Sequence, residues 1–178
     1  MAIPIGDGAA YASLLSRIAA YTLDIVLLFG GILASQVLLR PINPLLGQTR
    51  PTSGLRTHLW VYASVSLPIL IYFALCISSS WQATIGMRLL GIRVTGLGGE
   101  QIGIGRAVLR SMVMLIPFEL NHLVMFFPTP IWTDPKPGFR LGFVAVSLLM
   151  IIYLATVLLT GHHQSIHDLL AGTLVVWK

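Results

Sequence analysis

The chain has 178 residues, of which 56% are hydrophobic and only 10% are charged. Soluble domains carry about 25% charged residues, so this composition excludes an ordinary soluble fold and predicts an integral membrane protein with a single domain over residues 1–178. The net charge of +5 comes without a basic stripe of interleaved aromatic residues, so we expect no nucleic acid partner and basic loops that meet anionic lipid headgroups.

Four segments are long and apolar enough to cross a bilayer, which requires about 20 mostly apolar residues. The predicted spans cover about 14–39, 59–77, 106–127 and 139–160. Arg40 ends the first span because it precedes Pro41, and Pro68 predicts a kink in the second. The fold class that follows is an all-α membrane protein built as a four-transmembrane-helix bundle.

The segment between the second and third spans is too polar to cross the membrane. Its first part, 81–90, carries Ile85 and Leu89 beside Arg88, which predicts a short amphipathic helix lying at the membrane interface. Residues 91–104 alternate polar and apolar side chains around a glycine turn, which predicts a β-hairpin. Together these elements predict a small cap on one end of the bundle.

The tail, residues 161–178, reads as a short helix over 165–171 followed by a strand over 173–177. A strand beside a membrane needs a partner, and the hairpin at 91–104 is the obvious one. Two spans separate the hairpin from the tail, so both lie on one side. Arginines cluster around the central loop, which favours the cytoplasm for this side and for both termini.

Two charges within the first span, Arg17 and Asp24, are the first candidates for a functional site. They are seven residues apart on one helix face, about 10 Å along the axis, with Tyr21 between them. An ionisable residue in a membrane segment is costly and indicates either a site for an ion, a proton or a charged solute, or a structural ion pair. Two helical turns are long for direct pairing, so each charge is expected to meet a partner on another segment.

Three further residues are candidates. Asp168, the only carboxylate of the tail, could pair with Arg17 or with an arginine of the central loop, or could cap a helix. Glu119 and His122 share a face of the third span and could form a proton relay, or could be solvated at the far interface.

No cofactor, resident metal or enzymatic activity is expected from the motifs. His163 and His167 have the four-residue spacing of a ligand pair, but no thiolate or carboxylate cluster completes a metal site. A nucleotide-binding glycine loop, a nucleophile elbow and a lysine-containing phosphate loop are all missing from the sequence.

Three stretches, residues 17–24, 82–94 and 167–176, together resemble the RDD family of small bacterial membrane proteins, which is named for one arginine and two aspartates. The matching positions are Arg17, Asp24 and Asp168, in the family's order and spacing. The sequence departs from the family pattern at three positions where members often carry a basic residue, none of them a signature position: Ser16, Met87 and His163.

The resemblance implies a multi-pass protein of the bacterial inner membrane with a role related to transport, since some members behave as cation/proton antiporters. In that case Asp24 is the ion-binding carboxylate, Arg17 tunes it as a nearby positive charge, and Asp168 closes the cytoplasmic entrance. Four spans are few for a transporter, so a homo-oligomer or a membrane partner protein is expected. The alternative is an accessory or assembly subunit of a larger membrane complex, which the lack of an internal repeat favours.

Overall fold

Residues 11–38, 53–133 and 138–178 are described by a computed structural model of the chain. Within these ranges, four helical segments are long and apolar enough to cross a membrane, as the composition predicts. The predicted end of the first span at Arg40 lies outside the described residues. The helices, in chain order, are α1 (Leu14–Leu38), α2 (Gly54–Val61), α3 (Leu67–Ser78), α4 (Ile85–Leu89), α5 (Ile104–Phe126), α6 (Leu141–Leu159) and α7 (Ile166–Ala171).

The second span consists of α2 and α3, which a π-helical turn at Tyr62–Ser66 joins into one continuous segment. This wider turn comes directly before Pro68, whose missing N–H and bulky ring disturb the preceding turn. Pro117 lies inside α5, and that helix continues through it to Phe126.

The two strands, β1 (Ile92–Gly96) and β2 (Thr173–Trp177), pair antiparallel with Val94 opposite Val175. This pairing confirms that the tail strand finds its partner in the central segment. The predicted hairpin at 91–104 is wrong in its second half, because residues 101–103 form no strand.

Other groups occupy the outer edges of both strands, which explains the missing hairpin strand. The N–H of Val94 donates to the carbonyl of Gln82 at 2.7 Å, and the N–H of Ala12 donates to the carbonyl of Val175 at 2.9 Å. The alternation at 101–104 has another cause: Ile102 is buried, and Ile104 already begins α5.

The helix predicted over 81–90 is shorter in the structure, where α4 spans only Ile85–Leu89. Met87 is fully buried in the core, whereas Leu89 is exposed. The placement of α4 at a lipid interface stays a prediction.

The tail helix α7 follows Ser165 and ends at Gly172, whose left-handed backbone (φ 61°) suits glycine.

The two strands lie at one end of the bundle, which we call the sheet end. Four helix ends surround them: the start of α1, the end of α3, the start of α5 and the end of α6. A compact apolar core fills the sheet end, formed by Ala12, Ala20, Ala74, Ile77, Ala83, Met87, Ile92, Val94, Ile102, Ala107 and Val175. This packing holds the polar side chains described below in fixed positions.

The contact between α4 and α1 depends on Gly86. A Cβ at this position would lie 2.2 Å from the carbonyl oxygen of Ala20 and 3.0 Å from the carboxylate of Asp24. Since a helix backbone cannot yield as a flexible side chain does, Gly86→Ala must push α4 away from α1. We expect Gly86→Ala to lower the unfolding temperature of the purified protein in detergent by several degrees, a loss of about 1–3 kcal/mol.

Gly30→Ala is the matched control, because a Cβ on Gly30 of α1 meets nothing within 4 Å. This change should leave the unfolding temperature equal or slightly raised, since alanine favours a helix over glycine by up to about 1 kcal/mol. Equal unfolding temperatures for the two variants would contradict the close approach of α4 to α1.

Candidate functional site

The carboxylate of Asp168 lies at the centre of a fully buried cluster at the sheet end. Arg17 of α1 donates from Nη1 to Oδ2 at 2.6 Å, and Arg110 of α5 donates from Nε to Oδ1 at 2.9 Å. Nη2 of Arg110 also lies at ion-pair distance from Oδ1, at 2.8 Å. The Thr173 hydroxyl donates to Oδ1 at 3.1 Å, and the N–H of Ser165 donates to Oδ2 at 3.2 Å. Asp168 therefore ties α1, α5 and the tail together, and Arg17 finds its partner on another segment, as predicted.

Local sequence places Asp168 for this role. Ser165 precedes the first residue of α7, and Asp168 is the third residue of that helix, where a carboxylate can accept the N–H of the capping residue. A negative charge in the first turn is also favoured by the helix dipole. The helix start thus orients the carboxylate before either arginine contacts it.

Arg110 is one of the arginines around the central loop, and its contact with Asp168 confirms the predicted pairing of that carboxylate with an arginine of this group, although Arg110 was not singled out as a site residue. It is fully buried, and its Nη2 also lies 3.4 Å from the hydroxyl of Tyr21. The signal that could have found it is the one that singled out Arg17: a charge a few residues inside an apolar span.

The two arginines determine the electrostatics of the cluster. Burial alone would raise the pKa of Asp168, but the positive charges of Arg110 and Arg17 outweigh it and hold that pKa well below its usual range. His167 lies beside it, with Nε2 3.7 Å from Oδ2 and its ring near Tyr153 of α6. Burial, together with the two arginines, lowers the pKa of His167 from 6.5 to about 3, so this imidazole is neutral.

Asp24 forms a second and chemically different site. It is fully buried in α1, and its Oδ1 accepts hydrogen bonds from the Tyr72 hydroxyl at 2.7 Å and from the N–H of Gly86 at 2.8 Å. Its Oδ2 accepts from the Thr84 hydroxyl at 2.6 Å. These three donors are neutral, and within the described part of the chain Asp24 has no arginine or lysine at ion-pair distance.

The donors to Asp24 are themselves held by the backbone of α4. The Tyr72 hydroxyl accepts the N–H of Ile85 at 3.0 Å, and the Thr84 hydroxyl accepts the N–H of Met87 at 3.2 Å, which caps α4. Sequence reasoning missed Tyr72 and Thr84, because neutral hydroxyls in apolar segments are common and give no signal of their own.

The face of α1 that carries Arg17, Tyr21 and Asp24 points inward, but the structure divides it between two sites. Arg17 contacts Asp168 and not Asp24. Tyr21 lies between the sites, with its hydroxyl near Arg110 and its ring 6.0 Å from that of Phe73.

Glu119 and His122 do share a face of α5, and Nδ1 of His122 lies 3.7 Å from Oε1 of Glu119. The pair is half-buried, and the His122 ring stacks on Phe126 at the opposite end of the bundle from Asp168. A proton relay through Glu119 and His122 remains a prediction. Among the described residues, no group of three or more His, Cys, Asp or Glu side chains could hold a metal ion.

Four apolar helices with buried arginine–aspartate contacts define a multi-pass α-helical membrane protein that carries charges within its fold. The family model described as the RDD family matches residues 11–172, and the chain belongs to that family. The matched range contains Arg17, Asp24 and Asp168, and it confirms the resemblance seen in the sequence. No curated protein and no solved structure is similar enough to this chain to match it.

Replacing Asp168 by asparagine should be strongly destabilising, because it leaves two buried guanidinium groups without their counter-charge. Removing one partner of a buried ion pair costs about 3–5 kcal/mol. Since the pKa of Asp168 is lowered by folding, its contribution is complete above the ordinary carboxyl pKa of about 4 and is lost only in stronger acid. Unfolding of Asp168→Asn in detergent at pH 7 measures the loss.

Glu100→Gln is the control for a surface ion pair. Glu100 contacts Arg106 at 3.0 Å, but both side chains are about 40% exposed, so this change should cost less than about 1 kcal/mol. If Asp168→Asn were no more destabilising than Glu100→Gln, the buried cluster would not hold the fold together as described.

The buried, neutral His167 should make the protein less stable as the pH falls from 7 to 5. In the unfolded chain His167 binds a proton near pH 6.5, whereas in the folded chain it does so only near pH 3. The free energy of unfolding therefore rises with pH in this window. His167→Gln should flatten the dependence of the unfolding temperature on pH, whereas His162→Gln, which changes an exposed histidine, should not. Identical slopes for both variants would contradict the assignment.

Proposed function

We propose that this protein exchanges a monovalent cation for a proton across the membrane, and that the carboxylate of Asp24 binds the two in turn. One cation enters as one proton leaves, so the charge on the carboxylate is balanced in both states. The observation that carries the proposal is the set of neutral partners around Asp24: two hydroxyls and one backbone N–H.

Neutral hydroxyl partners suit an exchangeable site. The Tyr72 and Thr84 hydroxyls can each donate a hydrogen bond to the ionised carboxylate, and they can rotate to present oxygen lone pairs to a cation. Hard cations prefer such oxygen ligands. Asp168, by contrast, is already neutralised by two arginines and has no free capacity for a cation or proton.

The mobile element in this proposal is α4. In the structure Asp24 is fully buried, so exchange with water requires a movement that uncovers it. The α4 segment supplies two of the three donors, Thr84 and Gly86, and contributes only five helical residues. The Asp168 cluster holds the start of α1 in place while α4 separates from it.

Location and assembly complete the proposal. Arg88, Arg93 and Arg106 lie at the sheet end, which favours the cytoplasm for this end and for both termini, in a bacterial inner membrane. Their charges suit anionic lipid headgroups. Four spans leave little room for a pathway within one chain, so we further propose a homo-oligomer or a membrane partner protein.

A second candidate, an accessory or assembly subunit, is supported by the number of segments that meet at Asp168. Four hydrogen bonds and one further ion-pair contact on one buried carboxylate fasten α1, α5 and the tail to each other. In this function the charges hold the fold in shape for a partner protein, and Asp24 never exchanges its hydrogen bonds.

Flux through proteoliposomes tests the first function. With a sodium or potassium gradient imposed, the parent protein should change the internal pH, read by an enclosed pH-sensitive dye. Asp24→Asn should abolish the change, because an amide cannot alternate between a proton and a cation. Tyr72→Phe removes one hydroxyl and keeps the ring, so it should lower the flux about tenfold, as expected for a hydrogen bond to a charged group.

The control is Tyr62→Phe, which removes a hydroxyl from the same span at an exposed position and should leave flux unchanged. A parent protein that moves no cation at several densities of reconstitution would rule out exchange. Co-purification of a defined membrane partner with both the parent and Asp24→Asn would then favour the accessory subunit.

A further inference from the structure

Within residues 11–38, 53–133 and 138–178, the Asp168 cluster carries one more positive charge than negative charge. Arg17 and Arg110 each contribute one positive charge and Asp168 one negative charge, and all three residues are buried. His167 is neutral and cannot offset the difference. The other buried carboxylate on α1, Asp24, is engaged by three neutral donors and contacts neither arginine.

Hydrogen-bond donors in the same cluster are also left over. Nη2 of Arg17 and Nη1 of Arg110 are buried and have no hydrogen-bond partner among the described residues, and neither ring nitrogen of His167 has one. The half-buried Tyr21 hydroxyl accepts a hydrogen bond from Arg110, and no acceptor of its own proton is given in the described ranges of the chain. Arg17, Arg110 and His167 each lie beside Asp168, and Tyr21 contacts Arg110, so all these donors lie in one cluster.

Excess charge and unpaired donors together specify the chemistry of a ligand. Water could satisfy the donors but not the charge, and an uncompensated charge in a buried position is among the costliest groups in a protein. An anion satisfies both at once. The excess is a single charge, and Arg17, Arg110 and Asp168 are buried, so the anion must be small and monovalent.

We propose that Arg17, Arg110 and Tyr21 bind a small monovalent anion such as chloride beside Asp168. The anion neutralises the excess charge of the cluster and accepts hydrogen bonds from the unpaired N–H groups of the two guanidinium groups. This site is separate from Asp24, and it holds whether or not the protein exchanges cations.

Binding of radioactive chloride to the purified full-length protein in detergent tests the proposal, with gluconate replacing chloride at constant ionic strength. We expect saturable binding of one chloride per chain, displaced by bromide and nitrate but not by gluconate, which is too large for an enclosed site. An absence of saturable binding in the parent protein would overturn the proposal and leave water as the partner of the unpaired donors.

Two variants locate the site. Tyr21→Phe keeps every charge and removes one donor, so chloride affinity should fall about five- to tenfold, as expected for one hydrogen bond to a charged ligand. Arg17→Gln removes the excess charge and should abolish binding. If Arg17→Gln does not fold, Tyr21→Phe alone carries the test, and an unchanged affinity in it would overturn the assignment.

Two controls separate this site from other arginines and from the exchange site. Arg88 is exposed and lies over the Trp81 ring at 4.0 Å, so Arg88→Gln should bind chloride as the parent does. Asp24→Asn should lose cation exchange yet keep chloride binding. An equal loss of chloride affinity in Arg88→Gln and Tyr21→Phe would show only a general charge effect and would overturn the proposed site.

Discussion

The fold depends on one buried carboxylate that two arginines share. Asp168 joins the start of α1 to the start of α5 and fixes α7 and β2 against both. In hydrocarbon, apolar side chains gain little by meeting each other instead of lipid, so polar contacts of this kind decide which helices stay together. The apolar core at the sheet end packs around the same point, and the strands are built directly onto it.

The two buried aspartates, Asp24 and Asp168, have opposite chemical environments. Asp168 has charged partners that keep it ionised and hold it in place. Asp24 has hydroxyl and amide partners, which stabilise a negative charge without neutralising it. Asp168 is therefore suited to holding segments together, and Asp24 is suited to the proposed exchange of a proton for a cation.

Much of this architecture could be predicted from sequence, because the patterns concerned are local or follow from counting spans. Apolar length gave the four helices, and an even number of spans brought Asp168 within reach of Arg17. The partners of Asp24 could not be predicted, since Tyr72 and Thr84 are neutral and are brought to it only by tertiary packing. Arg110 was not singled out because four arginines surround the central loop and sequence alone does not show which of them reaches Asp168. The prediction of a second hairpin strand was wrong because alternation over four residues does not distinguish a strand from one buried isoleucine before a helix.

The position of Asp168 after the fourth described span has a consequence for biogenesis. It lies 151 residues after Arg17 and 58 residues after Arg110, beyond the last span. During synthesis, the ribosome therefore releases both arginines long before the aspartate that neutralises them. The first and third spans must wait in the membrane with unmatched charges until the tail arrives. A chain truncated after the fourth span would keep the four described membrane helices but would lack the carboxylate that joins α1 to α5.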